Sequence, residues 1–277
     1  VMIKKYCRRI ALAILLFGVP YAASELVVAE RTFRIRMIPE ALKMTLMGHT
    51  WSHMWYLYLI LFLYLITPLL KKVLRVLPVW GAAAVMAVIF LGSSVAPFLN
   101  KVLDINSIPV LPDGGVYFLY YLCGYLFAVR EVCVDKGRNV WLTVAVAVLA
   151  LGMILSRTLA GFSIQMAYNY PFTVLLAVLL FAAGWNRSIK KYRIPWQEAG
   201  ALSFAVYLVH PVYVNLLYKF VKITPFTVLE QCGVQSVAAG QAVLILLLAA
   251  FCLVVLALAT ATAWVLRKIP VLRKFVL

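Results

Sequence analysis

Eight apolar runs, separated by short polar or basic stretches, take up most of the chain: 10–28, 54–70, 79–98, 115–129, 140–156, 169–185, 201–221 and 240–266. A bilayer core is crossed by roughly 20 apolar residues in a helix. The pattern therefore predicts an all-α fold, a polytopic transmembrane helix bundle of about eight spans, in a single membrane domain over residues 1–277. The runs 115–129 and 140–156 are short and are expected to tilt little or to extend into their flanks. Two runs carry polar positions at helical spacing. Ser203, Tyr207 and His210 fall at i, i+4 and i+7, one face with three hydrogen-bonding tips. Pro211 follows at once and, lacking an N–H, frees the carbonyl of Tyr207. An ionisable imidazole near mid-membrane is costly unless partnered and is read as functional. The second stripe is His53, Tyr56, Ile60, Tyr64 and Thr67, recurring at three or four residues. Trp51, Trp55 and Tyr56 also fit an aromatic belt at the outer interface, with His53 as an anchor.

Composition agrees about solvent: 65% of residues are hydrophobic and 13% charged, with a mean hydropathy of +0.99. The net charge of +17 suggests nucleic acid only until its placement is considered. Most of the basic residues gather at alternate ends of the runs: Lys4, Lys5, Arg8 and Arg9; Lys71, Lys72 and Arg75; Arg130, Lys136 and Arg138; Arg187, Lys190, Lys191 and Arg193; Arg267, Lys268, Arg273 and Lys274. By the positive-inside rule that side is cytoplasmic, which puts both ends of the chain inside a cell membrane. The basic excess is then topology, with anionic lipid heads as a by-product and no nucleic-acid partner. The outer stretch 29–53 breaks the pattern by interleaving Arg31, Arg34, Arg36 and Lys43 with Phe33, Ile35, Met37, Ile38, Leu42 and Met44. Two readings stay open for it, an amphipathic helix in the interface or a basic lid over an anionic or polyol acceptor.

Other chemistry is thin. The five cysteines have no metal-ligand spacing, and only Cys232 falls in an outer loop, so no external disulfide is expected. His49 and His53 are spaced as a helical metal pair would be, but no accompanying carboxylate completes a ligand set, and no metal site is expected. None of the nine acidic residues is mid-span, which counts against an ion-coupled transporter. Glu25, near the outer end of the first run, comes nearest. There is no nucleophile elbow, P-loop or Gly-rich dinucleotide turn. Asn169-Tyr170-Pro171 is expected to open a helix.

Three stretches resemble motifs of the acyltransferase-3 family of integral membrane acyltransferases: His53-Met54-Trp55-Tyr56-Leu57 running on to Tyr64-Leu65-Ile66-Thr67-Pro68, Ser203-Phe204-Ala205-Val206-Tyr207-Leu208-Val209-His210, and the basic Lys4 to Ile10, best matched by Lys5 and Arg8 with Arg9 adjacent. They occur in the family's order over nearly the whole chain. Members typically have about ten spans with cytoplasmic termini, so a chain starting at the third span would retain eight. By that resemblance the domain is N-terminally incomplete, and the principal catalytic base, a histidine some ten residues after a basic residue in the family's first span, is expected in the missing segment. The resemblance implies transfer of an acyl group, commonly acetyl, from acyl-CoA as donor substrate to a hydroxyl of a carbohydrate or other cell-envelope acceptor, with no bound cofactor. His210 and His53 would be supporting catalytic groups, Lys5, Arg8 and Arg9 would meet donor phosphates, and Tyr64, Ser203 and Tyr207 would complete the lining. Two alternatives stay open from the residues themselves: a transporter or flippase of a saccharide or lipid-linked saccharide, and an inactive truncated remnant. The acceptor, the acyl chain and the oligomeric state are left open.

Overall fold

The computed structural model describes residues 6–112, 114–129, 138–159, 167–185, 196–233 and 237–275, and every regular element among them is helical. In chain order the helices are α1 (Arg8–Ala13), α2 (Val19–Glu30), α3 (Met37–Leu46), α4 (Trp55–Val76), α5 (Val79–Phe90), α6 (Ala96–Val102), α7 (Gly115–Val129), α8 (Arg138–Leu159), α9 (Pro171–Trp185), α10 (Trp196–Asn215), α11 (Pro225–Gln231), α12 (Val237–Leu266) and α13 (Pro270–Phe275). Three π turns are set among them, Ile14–Gly18, Leu91–Val95 and Leu216–Val221, together with a 3-10 turn, Ser52–Met54. Among the described residues, five continuous helical stretches are long and apolar enough to cross a membrane: Arg8–Glu30, Ser52–Val76, Val79–Val102, Leu202–Gln231 and Gly240–Leu266. The other three expected spans are helical too, but their apolar stretches, Gly115–Ala128, Val140–Leu155 and Pro171–Ala182, fall in a class of 10–17 residues. Pro171 does open α9.

Two of the π turns lie just before prolines. Pro20 and Pro97 stand in the first turn of α2 and α6, directly after Ile14–Gly18 and Leu91–Val95. A proline cannot donate to the carbonyl four residues back, and a wider turn absorbs the missing bond without ending the helix.

The chain divides into two compact units, 1–65 with 193–277, and 66–192. In the first, α1, α2, the start of α4, α10 and α12 bury Ile10, Ala13, Ile14, Tyr21, Met54, Leu57, Ala205, Leu208, Val209 and Ala263. Bilayer lipid offers no hydrophobic drive between helices, so close approach rests on small residues and interhelical hydrogen bonds. Ala205 on α10 and Ala259 and Ala263 on α12 are fully buried, and the hydroxyls of Tyr213 and Thr262 bond across the same two helices. Helix α3 packs through Met37, Ala41 and Thr45, a buried i, i+4, i+8 stripe. Gly18 faces it, and a Cβ there would stand 2.7 Å from the Thr45 methyl. The 29–53 stretch thus holds an amphipathic helix docked on α2, with Arg36 and Lys43 exposed.

The second unit has its own buried sets. Val116, Leu119, Cys123 and Val174 join α7 to α9, and Leu74, Ala82 and Leu122 join the end of α4 to α5 and α7. Thr67 is buried and its hydroxyl pairs with that of Tyr121 at 2.5 Å. Gly152 admits the ring of Phe172, which would lie 2.4 Å from a Cβ placed there.

Candidate functional site

Helix α3 ends by turning sharply at Gly48 (φ +78°), where the His49 N–H bonds the Met44 carbonyl at 2.8 Å. The chain then passes Trp51 and winds through the 3-10 turn Ser52–Met54 before α4 begins. That turn holds His53 just outside α4, half-buried. His49 stays exposed beyond the Gly48 turn, so the two are not on one helix face, and the i, i+4 metal pair does not form. Among the described residues no group of three or more His, Cys, Asp or Glu could hold a metal ion.

Tyr207 and His210, one turn apart on α10, meet His53. The ring centroids of His53 and His210 are 5.9 Å apart, edge to face, and those of His53 and Tyr207 are 5.6 Å apart. The Tyr207 hydroxyl donates to the His53 carbonyl, tying α10 to the turn that carries the histidine. Tyr56 adds its ring at 5.8 Å from Tyr207.

His210 is oriented by its own helix. Its Nδ1 lies 2.9 Å from the carbonyl of Tyr207 and 3.2 Å from that of Val206. The first is the carbonyl that Pro211 cannot serve, and α10 nonetheless continues through the proline to Asn215. A carbonyl only accepts, so Nδ1 carries the hydrogen, and in the neutral ring Nε2 keeps its lone pair. The carbonyl left open by the proline and the histidine tautomer are one device. Across from it, His53 Nε2 is buried with no hydrogen-bond partner.

Two residues the sequence stripes do not contain complete the cluster. The Tyr21 ring, on α2, stacks on Trp51 at 4.3 Å and meets His53 edge-on at 5.7 Å, while its hydroxyl donates to the Leu208 carbonyl on α10. A tyrosine inside an apolar run needs a partner for its hydroxyl, and that was the available signal. Trp51 lies 6.3 Å from His53, ring centroid to ring centroid.

The other expected residues lie elsewhere. Ser203 is exposed, and its hydroxyl donates to the Gly200 carbonyl at 2.8 Å. The Arg9 guanidinium leans over Phe204, 5.7 Å from the ring centroid, and Arg8 is exposed beside it. Tyr64 packs near Tyr6 at 6.1 Å. Lys5 lies outside the described residues. Phe204 and His210 are six residues apart, so the Arg9 contact and the imidazoles are separated by about 9 Å along α10.

Residues 1–264 match the family model for acyltransferase family 3, described as an acyltransferase domain. No curated protein and no solved structure matches.

Proposed function

The chain belongs to acyltransferase family 3 and is an acyltransferase, and we propose that it is a membrane-embedded O-acyltransferase moving an acyl group, in particular acetyl, from acyl-CoA to a hydroxyl of a cell-envelope carbohydrate or related acceptor. One observation carries the assignment of the site. Two imidazoles, one on the 3-10 turn before α4 and one on α10, meet edge to face, the latter with its tautomer set by a carbonyl that a proline leaves open. His210 Nε2, with its lone pair available, then relays the proton of the acceptor hydroxyl in support of the principal base as the hydroxyl oxygen attacks the thioester carbonyl. The C–O bond forms, the C–S bond breaks, and the thiolate of CoA receives the proton. His53, with an unpartnered Nε2, binds or relays at the same hydroxyl. Its edge contacts with Tyr21, Trp51 and Tyr207 hold the ring in place.

Arg8 and Arg9, with Lys5 preceding them, supply positive charge for the donor phosphates. The separation of about 9 Å along α10 between the Arg9 contact and His210 is then bridged by the pantetheine arm, which is long and uncharged. The clustering of basic residues at alternate span ends supports a cell-membrane location with the basic side cytoplasmic, so that the donor is drawn from the cytoplasm.

The test is transfer of labelled acetyl from acetyl-CoA in membranes holding the protein as it occurs in its cell. His210→Ala is expected to depress transfer by about 100-fold or more, with the amount of protein in the membrane unchanged. Unchanged turnover removes His210 from the chemistry.

A further inference from the structure

Beside the imidazoles, within the first unit, a cavity of about 610 Å³ opens between α2 and the end of α10 with its π turn Leu216–Val221. That volume is in the range of small-molecule sites. The proposed reaction leaves it unused. Tyr21 and Trp51 line it, and these same rings touch His53, so the cavity and the imidazoles share a wall. Its polar groups are few and mixed: Glu25 and Ser24 on α2, Asn215 on α10 and Lys219 on the π turn. Glu25 and Lys219 form no ion pair with each other among the described residues. Ser24 is occupied by the Tyr21 carbonyl at 2.7 Å, and one amide hydrogen of Asn215 by the Pro211 carbonyl at 3.0 Å. The rim is apolar, with Val28, Leu216 and Phe220 all exposed.

One carboxylate and one ammonium leave the cavity without a charge excess. A phosphate-rich ligand such as CoA finds no attraction there, and the cationic pair Arg8–Arg9 lies at the far end of the first span. From Arg9 to Tyr21 is twelve residues, about 18 Å of helix. A carboxylate acceptor, an ammonium donor and a carboxamide are instead the groups that bind vicinal hydroxyls. A stacked indole offers them an apolar ring face. The exposed aliphatic and aromatic rim suits an apolar chain attached to such a headgroup.

We propose that this cavity is the acceptor site, and that it takes an uncharged, hydroxyl-rich headgroup carried on an apolar chain, a glycolipid-like molecule rather than a free sugar. The inference rests on the O-acyltransferase reading and names the class of its acceptor. The headgroup lies between Glu25, Asn215 and Lys219 with a hydroxyl directed past Tyr21 toward His53, and the chain leaves over Val28, Leu216 and Phe220.

The experiment is photolabelling of the complete protein in membranes with an alkyl glucoside bearing a diazirine on its alkyl chain. Adducts are mapped by mass spectrometry, with and without excess unlabelled octyl glucoside or excess glucose. The expected result is labelling concentrated on α2 and the π turn Leu216–Val221, reduced by octyl glucoside and not by glucose. Glu25→Gln, an exposed and conservative change, is expected to lower it about fivefold through one weakened hydrogen bond. Leu216→Trp, which obstructs the rim over which the chain leaves, is expected to reduce it strongly. Labelling spread evenly over all lipid-facing helices, or unmoved by octyl glucoside and by both variants, overturns the proposal, as does equal competition by glucose. Labelling does not require turnover. Localised labelling in membranes that transfer no acetyl supports the cavity as a glycolipid site and counts against the reaction alone.

Discussion

Replacing Pro211 by Ala is expected to move stability and activity in opposite directions. The variant supplies the missing N–H at position 211, so the Tyr207 carbonyl gains a backbone donor that competes with His210 Nδ1, now 2.9 Å from it. Proline inside a helix costs up to about 3 kcal/mol against alanine. α10 already accommodates Pro211 without breaking, so the recovered stability lies below that ceiling, at about 1–2 kcal/mol. The hydrogen bond that selects the Nδ1–H tautomer contributes about 1 kcal/mol, an about fivefold ratio of tautomers. Acyl transfer is therefore expected to fall by about twofold to fivefold, with the midpoint of thermal unfolding in detergent raised. Both are read on one preparation, transfer as labelled acetyl from acetyl-CoA and unfolding by a thermal scan. A raised midpoint with undiminished transfer refutes the argument that the carbonyl vacated by proline sets the imidazole.

Other substitutions separate the parts of the site. Tyr21→Phe keeps the stack on Trp51 but removes the bond to the Leu208 carbonyl, and a thermal scan should show a loss of about 0.6–1.7 kcal/mol, the scale of membrane hydrogen bonds. Gly18→Val drives a side chain into Thr45 and is expected to destabilise by about 1–3 kcal/mol, read as the same shift in unfolding; an unchanged midpoint would show that α3 does not pack tightly there. Arg9→Ala should raise the KM for acyl-CoA about tenfold with a smaller change in kcat, the pattern of a group that binds the donor but does not touch the reacting atoms. Ser203→Ala, at an exposed hydroxyl already bonded to Gly200, should change transfer by less than about twofold, and a large loss would return Ser203 to the site.

Much of the fold was legible because hydropathy and helical period are local signals. The eight apolar runs are helical, and the spacing of Tyr207 and His210 places both on the face of α10 that meets His53. The family was legible from the same residues. What the pattern could not provide depends on partners distant in sequence. Ser203 shares the stripe's period, yet a shared helix face does not bring it to the imidazoles one to two turns away, and its own backbone satisfies it. His53 and His49 have helical spacing, but the backbone between them is not one helix: it is irregular over 49–51, with Trp51 extended (ψ 139°) before the 3-10 turn that carries His53. Tyr21 escaped notice because a lone tyrosine in an apolar run carries no period; only the fold brings its hydroxyl to Leu208 and its ring to Trp51. The π turns before Pro20 and Pro97 lie beyond any reading of hydropathy, since they change the hydrogen-bond register and not the apolar character.

His53, on the turn before α4, and His210, on α10, are proposed to act as one site. A double-mutant cycle on acetyl transfer tests it most directly, with His53→Ala, His210→Ala and the double variant compared at equal protein in the membrane. Groups that act as a unit are strongly non-additive. The account predicts a large loss from each single change and a double variant no worse than the weaker single one. Losses that add, or a His53→Ala protein that transfers acetyl at the full rate, would contradict it.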